Sequence, residues 1–385
     1  MAQGQKVLLL THGKRPVDMR AAYRLGAEMR GISQARLWLE VQRRHRGRQK
    51  LPPHDYFLYG LHQPWQTEAD RDAFLGEPAF NRVSGALAAR RGGRILGIFN
   101  DKRLTAMILE RAGLPMPEIR AIYTRARGAT VWPGLHSAEE IVAFLRAPGA
   151  MPLFGKPVYG AHSHGAISLV GVEGEEVRLG DGRLIALTAL AEEIVTGYPE
   201  GYLFQNLVTP HPDMLALTGP ALATMRVVTL YDGPEPSVLY AVQKIPGKDA
   251  MVDDITSGVD GKASLDIETG RIGRVQYGPD LGGIDMEKSQ ATGQVLPGAI
   301  VPFVKESLAM ALEAHALFPD QGILGVDLAA TAQGPIVVEL NAFPGHGLYQ
   351  KAFVRGIYNP DFAPRFRAAL ARKGVRKGNR HLPFP

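Results

Sequence analysis

The chain has no cysteine among its 385 residues. That single absence removes disulfides, iron–sulfur clusters, cysteine-ligated zinc and thiol nucleophiles. Long hydrophobic runs are missing as well. The apolar patch near the start, Val7 to Leu10, is too short for a signal-peptide core and far too short to span a bilayer. No later stretch approaches twenty apolar residues, and there is neither an internal repeat nor a low-complexity segment. These absences lead to the expectation of a cytoplasmic protein with no membrane partner.

What is present is ordinary for a globular chain: 45% hydrophobic and 21% charged residues, over a length sufficient for two or three domains. The net charge is +6, and much of the excess sits in two runs, "QRRHRGRQK" at 42–50 and "RKGVRKGNR" at 372–380. Such runs read as solvated faces or tails. Neither interleaves aromatics as a base-stacking surface does, so a nucleic-acid partner is not expected. A positive field that steers an anionic substrate is a third reading.

Four units are expected along the chain: a largely helical domain over 1–98, a first α+β unit over 99–208, a second over 209–360, and a basic tail over 361–385. "KLPPHDYFLYGLHQP" reads as a loop. "NDKRLTAMILERAG" reads as a helix with an Asn100 cap, an apolar stripe of Leu104, Met107 and Ile108, and Gly113 as its stop. Ser137 and Glu140 have capping-box spacing. Antiparallel strands mixed with helices make the class α+β.

Two acids stand in apolar strands near the end, in "GVDLAATAQGPIVVELNAFPG". Taking 323–330 and 336–343 as a hairpin turning near Gln333 puts Asp327 opposite Glu339. Alternation puts Asn341 on the same face as Glu339. Directly opposed like charges destabilise a hairpin. Either a hard divalent cation with oxygen ligands resolves the repulsion, or both acids form ion pairs on an exposed face. Upstream, Lys156 follows an apolar strand and precedes Gly160 and Gly165. This is not a P-loop, because the lysine comes first. A loop of this kind can present backbone N–H groups to an anion. His162 and His164 are two apart, with no further ligand to complete a zinc site. Lys102 sits in the first helical turn, an unfavourable place for a cation unless it has another duty. Arg226 lies within the strand "TMRVVTLY", where a guanidinium calls for a phosphate or carboxylate. Lys244 shares that surface from the next strand.

Together these segments resemble the ATP-grasp superfamily. "FNDKRLTAMILERAGLPMP" is similar to its early lysine helix, "LFGKPVYGAHSHGAI" to its lid strand and glycine loop, "YLFQNLV" to its hinge, and the hairpin to its metal-binding pair. More narrowly, "YLFQNLVTPHPDM", "ATMRVVTLY" and "FPDQGILGVDLAATAQGPIVVELN" resemble the sugar-transfer-associated branch, related to α-L-glutamate ligases. The resemblance implies an ATP-grasp fold, two α+β subdomains gripping ATP beside a mainly helical N-terminal domain. It implies ATP and Mg²⁺ (or Mn²⁺) as cofactors. Lys102 and Lys156 would hold phosphates, under a loop running from Gly160 through His162, Ser163 and His164 to Gly165. Gln205, Asn206 and Val208 would line the adenine pocket, and His211 or Asp213 would reach the ribose. Asp327, Glu339 and Asn341 would carry the metal, and Arg226 would stabilise the transferred phosphoryl group. D-Ala–D-Ala ligases place an oxyanion arginine two residues before the metal aspartate. Position 325 is glycine here, so Arg226 or Lys244 would take that duty. "DDITSGV" departs from the family's carboxylate-pocket pattern. The implied activity is a carboxylate–amine ligase joining a small carboxylate, amino acid or peptide to an amine through an acyl phosphate, in a chain that could form a homodimer. A kinase on the same scaffold and a non-enzymatic basic binding module are the alternatives.

Overall fold

The computed structural model describes residues 18–88, 93–127, 131–160, 164–248, 250–252, 260–278, 284–375 and 382–383. His162, Ser163, the Val7–Leu10 patch and the "DDITSGV" segment lie outside them.

Among the described residues, seven helices come first: α1 (Met19–Arg30), α2 (Gln34–Arg46), α3 (Pro53–Leu58), α4 (Glu68–Asp72), α5 (Glu77–Leu87), α6 (Gly93–Asn100) and α7 (Lys102–Arg111). A first α+β layer follows, with β1 (Ile119–Tyr123), β2 (Gly134–Leu135), α8 (Ala138–Arg146), β3 (Leu153–Pro157), β4 (Ile167–Glu173), β5 (Glu176–Leu179), β6 (Leu184–Ala186), α9 (Leu187–Gly197) and β7 (Tyr202–Asn206). The second contains α10 (Pro212–Thr218), β8 (Met225–Leu230), β9 (Ser237–Ile245), β10 (Gly261–Leu265), β11 (Ile272–Tyr277), β12 (Ile284–Asp285), α11 (Val304–Ala316), β13 (Ile323–Thr331), β14 (Gly334–Asn341), α12 (Gly347–Phe353) and α13 (Phe362–Arg372). The strands form two seven-stranded sheets, in the orders β2-β1-β7-β3-β4-β5-β6 and β12-β11-β10-β9-β8-β13-β14. The α+β class is as the sequence suggests.

Several local expectations are corrected. The proline-containing segment taken as a loop forms α3, with Pro53 at a first-turn position and Tyr56, Phe57 and Leu58 buried. The cap of α7 is Asp101, whose carboxylate accepts from the Arg103 N–H, while Asn100 closes α6. Ser137 caps α8 as expected, but the Glu140 carboxylate reaches the N–H of His136, one residue before the cap. The anticipated apolar stripe of α7 is largely outside: Leu104 and Met107 are exposed, and Thr105, Ala106 and Leu109 are buried instead. The reason is tertiary. Helix α7 is wedged between the two sheets, with Ala106 packed beside Leu203 and Val158 of the first, and Leu109 in the core beneath the second.

The first sheet buries one face under α8 and α9, through Ile141, Leu145, Leu190 and Ile194 against Leu153, Leu169 and Phe204. The second buries one face under α11, against Val227, Ala241, Val326 and Leu340. Its opposite face is partly covered by α5, α12 and α13, where Val83 and Leu87 meet Val228, Leu230 and Ile323. Helices α1 to α3 have a smaller core of their own around Leu37, Tyr56 and Phe57. Within the N-terminal segment, α1–α3 pack together, and α5 shares a core with the second sheet.

Candidate nucleotide and metal site

The β13–β14 hairpin is tighter than the sequence suggests. Thr331 pairs with Gly334, leaving Ala332 and Gln333 as the turn. Counted from that turn, a regular ladder would set Asp327 opposite Val338. The register instead shifts by one: Leu328 pairs with Val337 and Asp327 with Glu339, so Val338 is an extra residue. This bulge turns the end of the strand over. Val337 and Leu340 both enter the core beneath the sheet, and Glu339 takes its place opposite Asp327.

The two acids have different surroundings. Asp327 is 3% exposed. Arg226, its partner on β8, grips it with two nitrogens: Nε donates to Oδ1, and Nη2 to Oδ2 at 2.8 Å. Lys244 Nζ donates to Oδ2 at 3.1 Å. Burial pushes the Asp327 pKa up, but the charges of Arg226 and Lys244 and their hydrogen bonds outweigh it and bring it down to about 2. Arg226 Nη1 donates to the Pro344 carbonyl at 2.7 Å. Gly325 makes room for this. A Cβ there would stand 2.8 Å from Pro344 Cβ and 3.1 Å from Arg226 Cδ. The arginine side chain crosses from β8 over the space that a side chain at 325 would fill. Glu339 is more open, with its side chain 36% exposed, and it lies 3.5 Å from Lys102 Nζ. Asn341 follows on β14, with its Nδ2 buried and without a hydrogen-bond partner among the described residues.

The facing wall comes from the first sheet and α7. Lys102 Nζ also donates to the Gly160 carbonyl at 2.9 Å. Lys156 is half-buried on β3. Loss of hydration lowers its pKa to about 8, Glu339 acts in the opposite direction, and Lys102 lowers it further. Tyr159, just beyond, donates to Asp101 Oδ2 at 2.8 Å. A cleft of about 640 Å³ opens beside this junction, lined by Asn100, Tyr159, Gly160 and Glu200. It flanks the lysine wall, and among the described residues none of the hairpin carboxylates lines it.

Other sequence-selected residues are placed less simply. Gln205 is buried, with its amide donating to the Pro117 carbonyl. Asn206 turns to the strand's other side, between Glu118 and Arg120. Val208 lies half-buried in the segment that crosses to the second sheet, where the His211 N–H bonds the Ala330 carbonyl. The His211 ring accepts from the Asp213 N–H and caps α10, and the Asp213 side chain is 76% exposed. His164 is exposed. Gly165 has φ +75°, and a Cβ there would meet Tyr198 Oη at 2.3 Å. This glycine is required by backbone and packing alike.

Of the two anions that a guanidinium in this strand calls for, the structure supplies a carboxylate, that of Asp327. The guanidinium is buried and committed to Asp327 and Pro344. Asp101, Arg103, Tyr159 and Pro344 were not anticipated. Asp101 could have been read from its place one residue before Lys102, but Tyr159 has no sequence signal. No cluster of three or more His, Asp or Glu able to hold a metal ion exists among the described residues, and no described helix is long and apolar enough to cross a membrane.

Among solved structures the chain is similar to an ADP complex of N5-carboxyaminoimidazole ribonucleotide synthetase (15% identity, 65% of this chain and 46% of that one, TM-score 0.37). It is also similar to the VanG D-Ala:D-Ser ligase of Enterococcus faecalis (14%, 72% and 62%, 0.43). A D-alanine–D-alanine ligase of Bacillus anthracis is a third (13%, 72% and 69%, 0.40). The chain thus spans less than two thirds of the length of the first two. No curated protein matches it in sequence. The family described as sugar-transfer associated ATP-grasp matches residues 91–360. That match takes in both lysines, the hinge and the hairpin, and the chain belongs to the sugar-transfer associated ATP-grasp family.

Proposed function

We propose that the chain is an ATP- and divalent-metal-dependent carboxylate–amine ligase. The observation that carries this reading is the contact between Lys102 and Glu339, which brings the lysine wall against the acidic hairpin. Phosphoryl transfer asks for positioning and charge neutralisation more than for covalent chemistry. Two ammonium groups facing a carboxylate floor supply that arrangement.

The donor set suits a hard cation. Glu339 is part-exposed beside Lys102, and the buried Asn341 amide nitrogen has no hydrogen-bond partner among the described residues. A half-turn of that amide exchanges its oxygen and nitrogen. Asp327 has three of its roughly four lone-pair positions taken by Arg226 and Lys244. Glu339 and Asn341 are thus the principal ligands, with one remaining lone pair from Asp327. A bound Mg²⁺ would neutralise phosphate charge there. Lys102 and Lys156 hold the phosphates, and the backbone of 205–208 meets the base. His211 or Asp213 is proposed for the ribose. Arg226 and Lys244 act mainly by fixing Asp327, and their charges favour an anion above the floor.

In the proposed reaction a carboxylate oxygen bonds to the γ-phosphorus of ATP as the bond to ADP breaks. An amine nitrogen then attacks the acyl carbon, phosphate leaves and the nitrogen loses a proton. Pooled carboxylates and amines, with ADP, phosphate and product masses followed together, test this. Equal release of ADP and free phosphate with an amide product is expected. Phosphate retained in the product makes the protein a kinase. Salt-sensitive polyanion binding with no ATP turnover makes it a binding module.

A further inference from the structure

The N-terminus of α7 and the end of β3 are joined by more than the lysine. Asp101, 5% exposed, accepts from four donors: the Arg103 N–H at 2.9 Å, Arg103 Nε at 3.0 Å and Nη2 at 2.6 Å, and Tyr159 Oη at 2.8 Å. Arg103 Nη2 reaches Tyr159 Oη at 3.0 Å, and its guanidinium carbon sits 5.7 Å from the centre of the tyrosine ring. The Lys102 N–H bonds the Val158 carbonyl, and Lys102 Nζ bonds that of Gly160. The clasp is therefore interleaved with the lysines. Asp101, the cap, and Arg103 flank Lys102 at the start of α7, and Tyr159 stands three residues after Lys156, just past the end of β3.

Helix α7 would otherwise meet the first sheet here through few groups. Leu104 and Met107 are exposed, and the buried contact is the small Ala106. Small apolar contacts leave a helix free to slide, because dispersion has little directionality. A carboxylate held by an arginine fork and a phenol does not. Tyr159 is 38% exposed and has one polar atom to place.

We propose that Asp101, Arg103 and Tyr159 form a positioning clasp that sets the distance between Lys102 and Lys156, and so sets affinity for the phosphates of a nucleotide. The inference rests on the assignment of those lysines to a nucleotide. In this role the clasp residues act through Lys102, although Tyr159 also lines the neighbouring cleft. The conformation with Lys102 on Gly160 and Glu339 is then the one that phosphates compete against.

The test is calorimetric binding of ADP, without acid or amine substrate, to Tyr159→Phe, Asp101→Asn and the double variant. Asparagine caps a helix as well as aspartate does, so Asp101→Asn keeps the cap and loses the charged partner. Each single variant is expected to weaken ADP about tenfold, the worth of one charge-assisted hydrogen bond. In the double variant the second change should add less than twofold, because Tyr159 acts through Asp101. Additive losses, or single variants that bind ADP as the wild type does, overturn the clasp. Loss of ADP affinity in proportion to a fall in melting temperature also overturns it, since that is a merely structural effect. Absence of ADP binding by the wild-type protein, with or without Mg²⁺, refutes the nucleotide assignment itself, and the clasp with it.

Discussion

Asp327 and Glu339 face each other across one hairpin, yet replacing them should have opposite consequences. In Asp327→Asn the carboxylate between Arg226 and Lys244 becomes a neutral amide of the same shape, and two buried cations lose their counter-charge. Removing one partner of a buried ion pair costs about 3–5 kcal/mol. The depressed Asp327 pKa, about 2 against an ordinary 3.8, has the same sign, because Arg226 and Lys244 favour the ionised carboxylate in the folded chain. Because the folded-state pKa is depressed, this stability is fully present above about pH 4 and is lost as pH falls through 2. Urea unfolding at pH 7 should therefore show Asp327→Asn destabilised by about 3 kcal/mol, and the variant should lack the wild-type loss between pH 4 and pH 2. Glu339→Gln removes only a part-exposed contact at 3.5 Å, worth about 0–1 kcal/mol. It should leave the unfolding curve nearly unchanged and abolish the Mg²⁺ dependence of ADP binding. A loss below about 1 kcal/mol in Asp327→Asn would refute the reading of the buried triad. Retained Mg²⁺ dependence in Glu339→Gln would refute the metal assignment.

Lys156, with its pKa lowered to about 8, should lose its charge over the mildly alkaline range. ADP affinity measured from pH 7 to 9.5 should fall, and Lys156→Met should bind ADP weakly at every pH. The same shift makes stability rise between about pH 8 and 10.5, where the unfolded chain holds a proton that the folded chain does not. A wild-type unfolding curve with no such rise above that of Lys156→Met would count against it. Val83→Ala, in α5 against the second sheet, should lower the melting of the whole sheet by about 1–3 kcal/mol. A separate, earlier transition for the N-terminal helices alone would show that α5 is not part of that core.

The sequence made much of this protein legible because its signals are local. Alternation set Arg226, Lys244, Asp327 and Glu339 on strands, and Ser137 marked the start of α8. The order of the lysines, glycine loop and hairpin pointed to ATP-grasp without any structure. What failed depended on distant contacts. The stripe of Leu104 and Met107 has helical spacing but is exposed, because α7 must fit between two sheets through Ala106 and Leu109. Arg226 called for a phosphate or a carboxylate, and only the neighbouring strand shows its fork closed on Asp327. The pairing of Asp327 with Glu339 makes the same point. The sequence reached it by assuming a turn centred on Gln333. The chain reaches it with a tighter turn and a bulge at Val338. Residue types and their order are written in the chain, whereas which side chain fills which space depends on neighbours that only folding brings together.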